Sequence, residues 1–156
     1  RNSGLQKEEL DATRDHIRKT LYTNHGTRHE KTAADNYENM HEDPAFYKYD
    51  VCTIKGTLYQ VVGRIDRVRD NEDGTKTLVE IKNRARGLFR AVRDYEEIQC
   101  QTYMEMLGMD ECVLIEQHND KRLTHNIKRD RHMWNEQILP ALRNFCERFH
   151  DMLSTH

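Results

Sequence analysis

The stretch that decides the fold is G-R-I-D-R-V-R-D-N-E-D-G-T-K-T-L-V-E-I-K-N-R, Gly63 to Arg84. Two apolar, β-branched segments flank D-N-E-D-G-T, residues 70–75, whose Asp, Asn and Gly tolerate left-handed backbone, so the stretch predicts a hairpin. Side chains alternate along a strand, which places Glu80 and Lys82 on one face and Ile81 on the other, toward the core. If the two strands pair through the loop, Asp66 approaches Glu80 across them. Two carboxylates and an ammonium then share one spot. An isolated Glu-x-Lys usually faces solvent on an exposed strand. Here the hairpin, the aspartate and the flanking helices all stand where a site requires them.

Working outward, the spacing of Leu10, Ile17 and Leu21 predicts an amphipathic helix over residues 6–21,. A second helix runs from Thr27 toward Met40, with Ala33, Ala34 and Tyr37 inward and Pro44 beyond its end,. The period then changes to a strand over 46–54, a turn at Lys55-Gly56 and a strand over 58–68,. After a strand over 76–82, Asp94 caps a helix that closes at Gly108, where glycine suits a left-handed C-cap,. Strands over 111–117 and 123–127 follow, around a His-Asn-Asp-Lys turn. The last helix, about 130–153, carries Trp134, Ile138, Leu142, Phe145 and Phe149 on one stripe, and Pro140 kinks it or starts its second half,. This order predicts an α/β (α+β) fold, a mixed sheet flanked by helices, in a single domain over 1–156 with residues 1–25 as an N-terminal helix.

Composition sets limits. With 36% hydrophobic and 33% charged residues in 156, the chain pairs a modest core with a very polar surface,. No apolar run is long enough to span a bilayer, and no signal peptide is visible,. Cys52, Cys100, Cys112 and Cys146 form no C-x-x-C pair, which points to reduced thiols inside a cell, in cytoplasm or nucleus,. His25 and His29, four apart, have no third ligand at a zinc-like spacing,. A net charge of −2 leaves nucleic-acid binding to local patches,.

Adjacent carboxylates suit Mg²⁺ or Mn²⁺, which lowers the pKa of a bound water, while a lysine can position that water or offset charge on a phosphate. Gln99 and Tyr103, four apart on a helix, present to one surface,. The segment 83–93 holds Arg84, Arg86, Arg90 and Arg93 without an acidic residue and suits a flexible arch that binds phosphates,. Leu88 or Phe89 there could wedge against a base or anchor the loop,. Lys121, Arg122, Lys128, Arg129 and Arg131 form a second basic region, and whether they share a face is open at this level.

These residues together resemble a PD-(D/E)XK nuclease, and more narrowly the RecB-like and phage lambda exonuclease (YqaJ-type alkaline exonuclease) branch. Gly26-Thr27-Arg28-His29-Glu30 is similar to that branch's G-T-x-x-E helix, Gly63-Arg64-Ile65-Asp66 and Glu80-Ile81-Lys82 to its catalytic core, and Gln99 to Tyr103 to its Q-x-x-x-Y helix. Ile127-Lys128-Arg129-Asp130 is similar to its closing strand and helix, so the resemblance spans roughly 26–150. It implies that Asp66, Glu80 and the Ile81 carbonyl are metal ligands and Lys82 the catalytic lysine. Glu30 would be a further acidic group near the metals or, equally, the partner of Thr27 in a capping box; His29 would be a ligand or a solvated histidine. The implied activity is hydrolysis of DNA by a metal-activated water, leaving a 5'-phosphate, with exonuclease action favoured. It leaves room for a homo-oligomer or for a recombination or replication partner protein, of phage, viral or cellular origin. The alternatives are an RNA endonuclease of the viral cap-snatching type, against which the Q-x-x-x-Y helix argues, and a silent nucleic-acid-binding module of the same fold.

Overall fold

The computed structural model describes residues 39–155. At its centre lies the strand that carries Glu80. β5 (Lys76–Asn83) is buried without interruption from Thr77 to Ile81, the pattern of a strand covered on both faces,. β6 (Glu111–His118) repeats that pattern, and the two run parallel, with Glu80 beside Leu114 and Lys82 beside Glu116. A parallel pair needs a long crossover, which α1 (Asp94–Leu107) supplies,. β4 (Arg67–Asp70) and β7 (Lys121–Lys128) flank this pair antiparallel, and β1 (Met40–Glu42) lies beside β4, giving the order β1-β4-β5-β6-β7. This is the mixed sheet flanked by helices that the sequence predicts.

Strand alternation divides the apolar residues into two clusters. Leu78, Cys112 and Leu114 pack with Ile65, Val68 and the α1 residues Cys100, Tyr103 and Met104. Val79, Ile81, Val113 and Ile115 form the opposite cluster. A buried Leu such as Leu114 contributes about 1.5–3 kcal/mol by leaving water. β2 (Tyr47–Ile54) and β3 (Thr57–Gly63) form a separate hairpin whose turn residues, Lys55 and Gly56, both have positive φ, as a two-residue hairpin turn demands,. Val51 and Val61 of this hairpin pack on Trp134, Ile138, Leu139 and Cys146 of the C-terminal helical segment. That segment comprises α2 (Arg131–Met133), a π-helical turn (Trp134–Ile138) and α3 (Leu139–Ser154).

Three expectations are corrected. The run expected to be one strand over 58–68 is two, because its apolar residues serve different cores: Val61 faces the C-terminal helix while Ile65 and Val68 join the α1 cluster. The break leaves Asp66 in the bend just before β4. Met40, expected to end a helix, lies in β1. α1 is capped by Arg93 rather than Asp94; Glu96 reaches back to accept from the Arg93 N–H at 3.0 Å,. Pro140 does start the second half of the last helix, and the π turn before it absorbs the missing N–H,. The expected helices over 6–21 and from Thr27, with His25, His29 and Glu30, lie outside the described residues. Among the described residues no helix is long and apolar enough to cross a membrane.

Candidate active site

The β4–β5 register pairs Arg67 with Val79, and one step further along it brings Asp66 opposite Glu80. Asp66 Oδ2 accepts the Ile81 N–H at 2.9 Å, which locks the bend to the strand. Glu80 is 0% exposed. Lys82 Nζ lies 3.8 Å from Glu80 Oε2 and donates to Gln99 Oε1 at 2.7 Å. Tyr103, one turn beyond Gln99, is buried against Gly63, where a Cβ would overlap the tyrosine ring. The structure therefore brings together Asp66, Glu80, Lys82, Gln99 and Tyr103 from a bend, a strand and a helix.

The electrostatics follow from burial. Desolvation pushes the Asp66 carboxyl up against the pull of the Ile81 N–H and Lys82. Desolvation, then repulsion from Asp66, holds the Glu80 carboxyl well above the usual range, with Lys82 opposing. The Tyr103 phenol is pushed up by burial and by Glu80, and a hydrogen bond with Gln99 opposes the shift. Two carboxylates that resist ionising side by side form a site where a cation would be stabilised. Among the described residues no set of three or more His, Cys, Asp and Glu side chains assembles around one point. Among the described residues the candidate side-chain donors are this pair, and the Ile81 carbonyl is the third oxygen that the family resemblance implies. All are hard oxygen donors, which suit Mg²⁺ or Mn²⁺ rather than a thiolate-seeking metal.

The arginine segment after β5 does not stay together. Arg86, Arg90 and Arg93 are exposed, but the Arg84 side chain is 6% exposed, donating from Nε to Glu116 Oε2 at 3.1 Å and from Nη1 to Glu96 Oε1 at 2.5 Å. The guanidinium expected on a phosphate-binding surface is thus engaged by two carboxylates in this structure. Nor is the segment a free arch. The Phe89 and Arg90 N–H groups donate to Glu116 at 3.0 and 2.7 Å, and the Arg84 and Arg93 guanidiniums both lie over the Phe89 ring, 3.8 and 4.7 Å from its centroid,. The second basic region is split. Lys121 and Arg122 stand at one end of β7 and Lys128 at the other, about 24 Å away for a strand of that length,. Arg129 is engaged by Glu105 at 2.8 Å.

Sequence reasoning missed the partners, Glu96, Gln101 and Glu116. Glu116 had a signal: a lone carboxylate closing the apolar run Cys112 to Ile115. Gln101 donates to the Lys128 carbonyl and accepts from the Asp130 N–H, both at 2.8 Å, tying α1 to the last helix.

A family model described as the PD-(D/E)XK nuclease superfamily matches residues 3–152. No curated protein matches the chain. Solved structures do; one, titled "Crystal structure of SSO0001", superposes with a TM-score of 0.53 at 17% identity, covering 81% of this chain. This chain spans 55% of that one, so the likeness speaks for the fold alone.

Proposed function

Since the chain belongs to the PD-(D/E)XK nuclease superfamily, we propose that it is a Mg²⁺- or Mn²⁺-dependent deoxyribonuclease, an exonuclease of the RecB-like and lambda exonuclease branch, acting inside the cell as one nuclease domain. The observation that carries this reading is the buried Asp66–Glu80 pair with Lys82 beside it. A bound cation would supply Lewis acidity to the phosphate and lower the pKa of the attacking water. Asp66, Glu80 and the Ile81 carbonyl would hold it, with Glu30 and His29 as further candidates. Lys82, aimed by Gln99, would offset the negative charge that grows on the phosphate oxygens and orient the water,. Tyr103 keeps its proton and so offers a donor or a packing surface rather than a charge. Arg86, Arg90 and Arg93 would hold backbone phosphates; DNA is preferred over RNA on the motif resemblance.

The test is incubation of the protein with end-labelled linear duplex, single-stranded DNA, circular DNA and RNA, in EDTA, Mg²⁺ or Mn²⁺, beside Glu80→Ala and Lys82→Ala. Metal-dependent loss of linear DNA alone, absent in both variants, supports the exonuclease. Cleavage of circles or of RNA moves the assignment to an endonuclease. Activity that survives in both variants refutes the site.

A further inference from the structure

We propose that Glu116 is a positioning residue that braces the loop after β5 into a preformed phosphate cradle, so that Arg86, Arg90 and Arg93 meet nucleic acid without first being ordered. The inference rests on the nuclease reading above, but it concerns affinity rather than chemistry. Glu116 is 0% exposed on β6, directly beside Lys82 of β5. It nevertheless turns to the loop: its two oxygens accept from the Arg90 and Phe89 N–H groups and from Arg84 Nε, with His125 Nε2 3.4 Å away.

The loop is pinned at three places. At its start the Arg84 N–H donates to the Gln117 carbonyl at 2.7 Å, and His118 Nδ1 lies 2.8 Å from the Arg84 carbonyl. Its middle is held by Glu116, and its end by Glu96, which accepts from the Arg93 N–H. Arg90 has φ of 60°, a conformation uncommon for a non-glycine residue, and the Glu116 carboxylate between the two consecutive N–H groups compensates for it,. Around this pinned backbone Arg86, Arg90 and Arg93 are all exposed. A loop that needs no ordering on binding keeps more of its contact energy as affinity. Without the brace the same arginines remain, but they must be ordered at each encounter.

The experiment measures binding in EDTA, so cleavage plays no part. Fluorescence anisotropy of labelled single-stranded DNA and matching duplex is titrated over a range of salt with wild type, Glu116→Gln, Arg86→Ala/Arg90→Ala/Arg93→Ala, and the combination. Glu116→Gln keeps the volume and one acceptor oxygen, and is expected to weaken binding about tenfold while circular dichroism stays unchanged. Three lost phosphate contacts would reduce the duplex salt slope by about 2.7 in the triple variant. Glu116→Gln should move the slope in the same direction and add nothing in the triple background, because it acts through those arginines. Additive losses, or unchanged affinity, overturn the proposal. Hydrogen exchange of wild type needs no variant: slow exchange at the Phe89 and Arg90 amides supports the brace, and exchange as fast as in an open loop overturns it. If wild type cleaves no substrate yet shows this pattern, the brace stands and the nuclease reading falls.

Discussion

Gly63→Ala should lower stability through one neighbour, Tyr103. Gly63 ends β3, and an added Cβ would overlap Tyr103 Cε1 and lie 3.4 Å from Cδ1 and Cζ. Its φ is not in the left-handed region, so alanine meets no backbone penalty there. Restricting the unfolded chain would even stabilise by about 0.4–1 kcal/mol. The ring cannot swing away, since Tyr103 is buried among Ile65, Met104 and Leu78. Overpacking a filled site costs about 1–3 kcal/mol, so the net loss is about 1–2 kcal/mol once that gain is subtracted. For a chain of this size each kcal/mol moves Tm by about 2–4 °C, giving a fall of about 2–8 °C. The assay is thermal unfolding by circular dichroism in EDTA, run as a cycle with Tyr103→Leu. Leucine has no ring atom at that place, so Gly63→Ala should be neutral or slightly stabilising in that background. An equal loss in both backgrounds would refute the reasoning.

Three further outcomes follow from the site. Glu80 holds its proton to higher pH folded than unfolded, so its contribution to stability is complete below the unfolded pKa and is lost as pH rises through the folded one,. Without metal, Glu80→Gln should therefore melt higher than wild type at pH 8, with the gap closing as pH falls toward the ordinary carboxylate range; a pH-independent gap contradicts this. Gln99→Leu removes the acceptor that aims Lys82, and a hydrogen bond to a charged group is worth about 1.5–3 kcal/mol, so turnover should fall roughly ten- to hundredfold; unchanged turnover with intact Tm would rule out that role. Arg84→Lys cannot reach Glu96 and Glu116 at once, and chemical denaturation should show a loss of about 2–4 kcal/mol, near that of breaking a buried pair; wild-type stability would show that the fork is unimportant.

How much was legible depended on how local the cause was. The hairpin over 70–75 and the alternation of Glu80, Ile81 and Lys82 are set by residues adjacent in sequence, and the structure has both. The opposition of Asp66 to Glu80 needed only the register that this loop imposes. The break between β3 and β4 was not legible, because Val61, Ile65 and Val68 look alike as apolar residues and only the fold tells which core each joins. Nor was the burial of Arg84: a guanidinium in a basic run reads as solvated until its partners, 12 and 32 positions away, are known. The glycine of Gly-Arg-Ile-Asp was visible, but its need for Tyr103 was not.

The two acidic pairs on this face of the sheet differ in how their charge is met. Glu80 and Lys82 alternate along β5 and Arg84 follows directly after it, so each end of the row has a cation beside two carboxylates,. At the far end Arg84 forks between Glu96 and Glu116, and three backbone N–H groups complete the set. Burial pushes the Glu116 carboxyl up, yet the Arg90 and Phe89 N–H groups and Arg84 outweigh it and hold Glu116 below the usual range. At the near end the Ile81 N–H reaches Asp66, and Lys82 stands 3.8 Å from Glu80 while donating one hydrogen bond to Gln99. Both carboxyls there sit above the usual range. The fold thus holds the Glu116 carboxyl below the usual range with its own cation and backbone donors, while burial keeps Asp66 and Glu80 above it; the proposed cation at that pair would lower the cost of ionising both,.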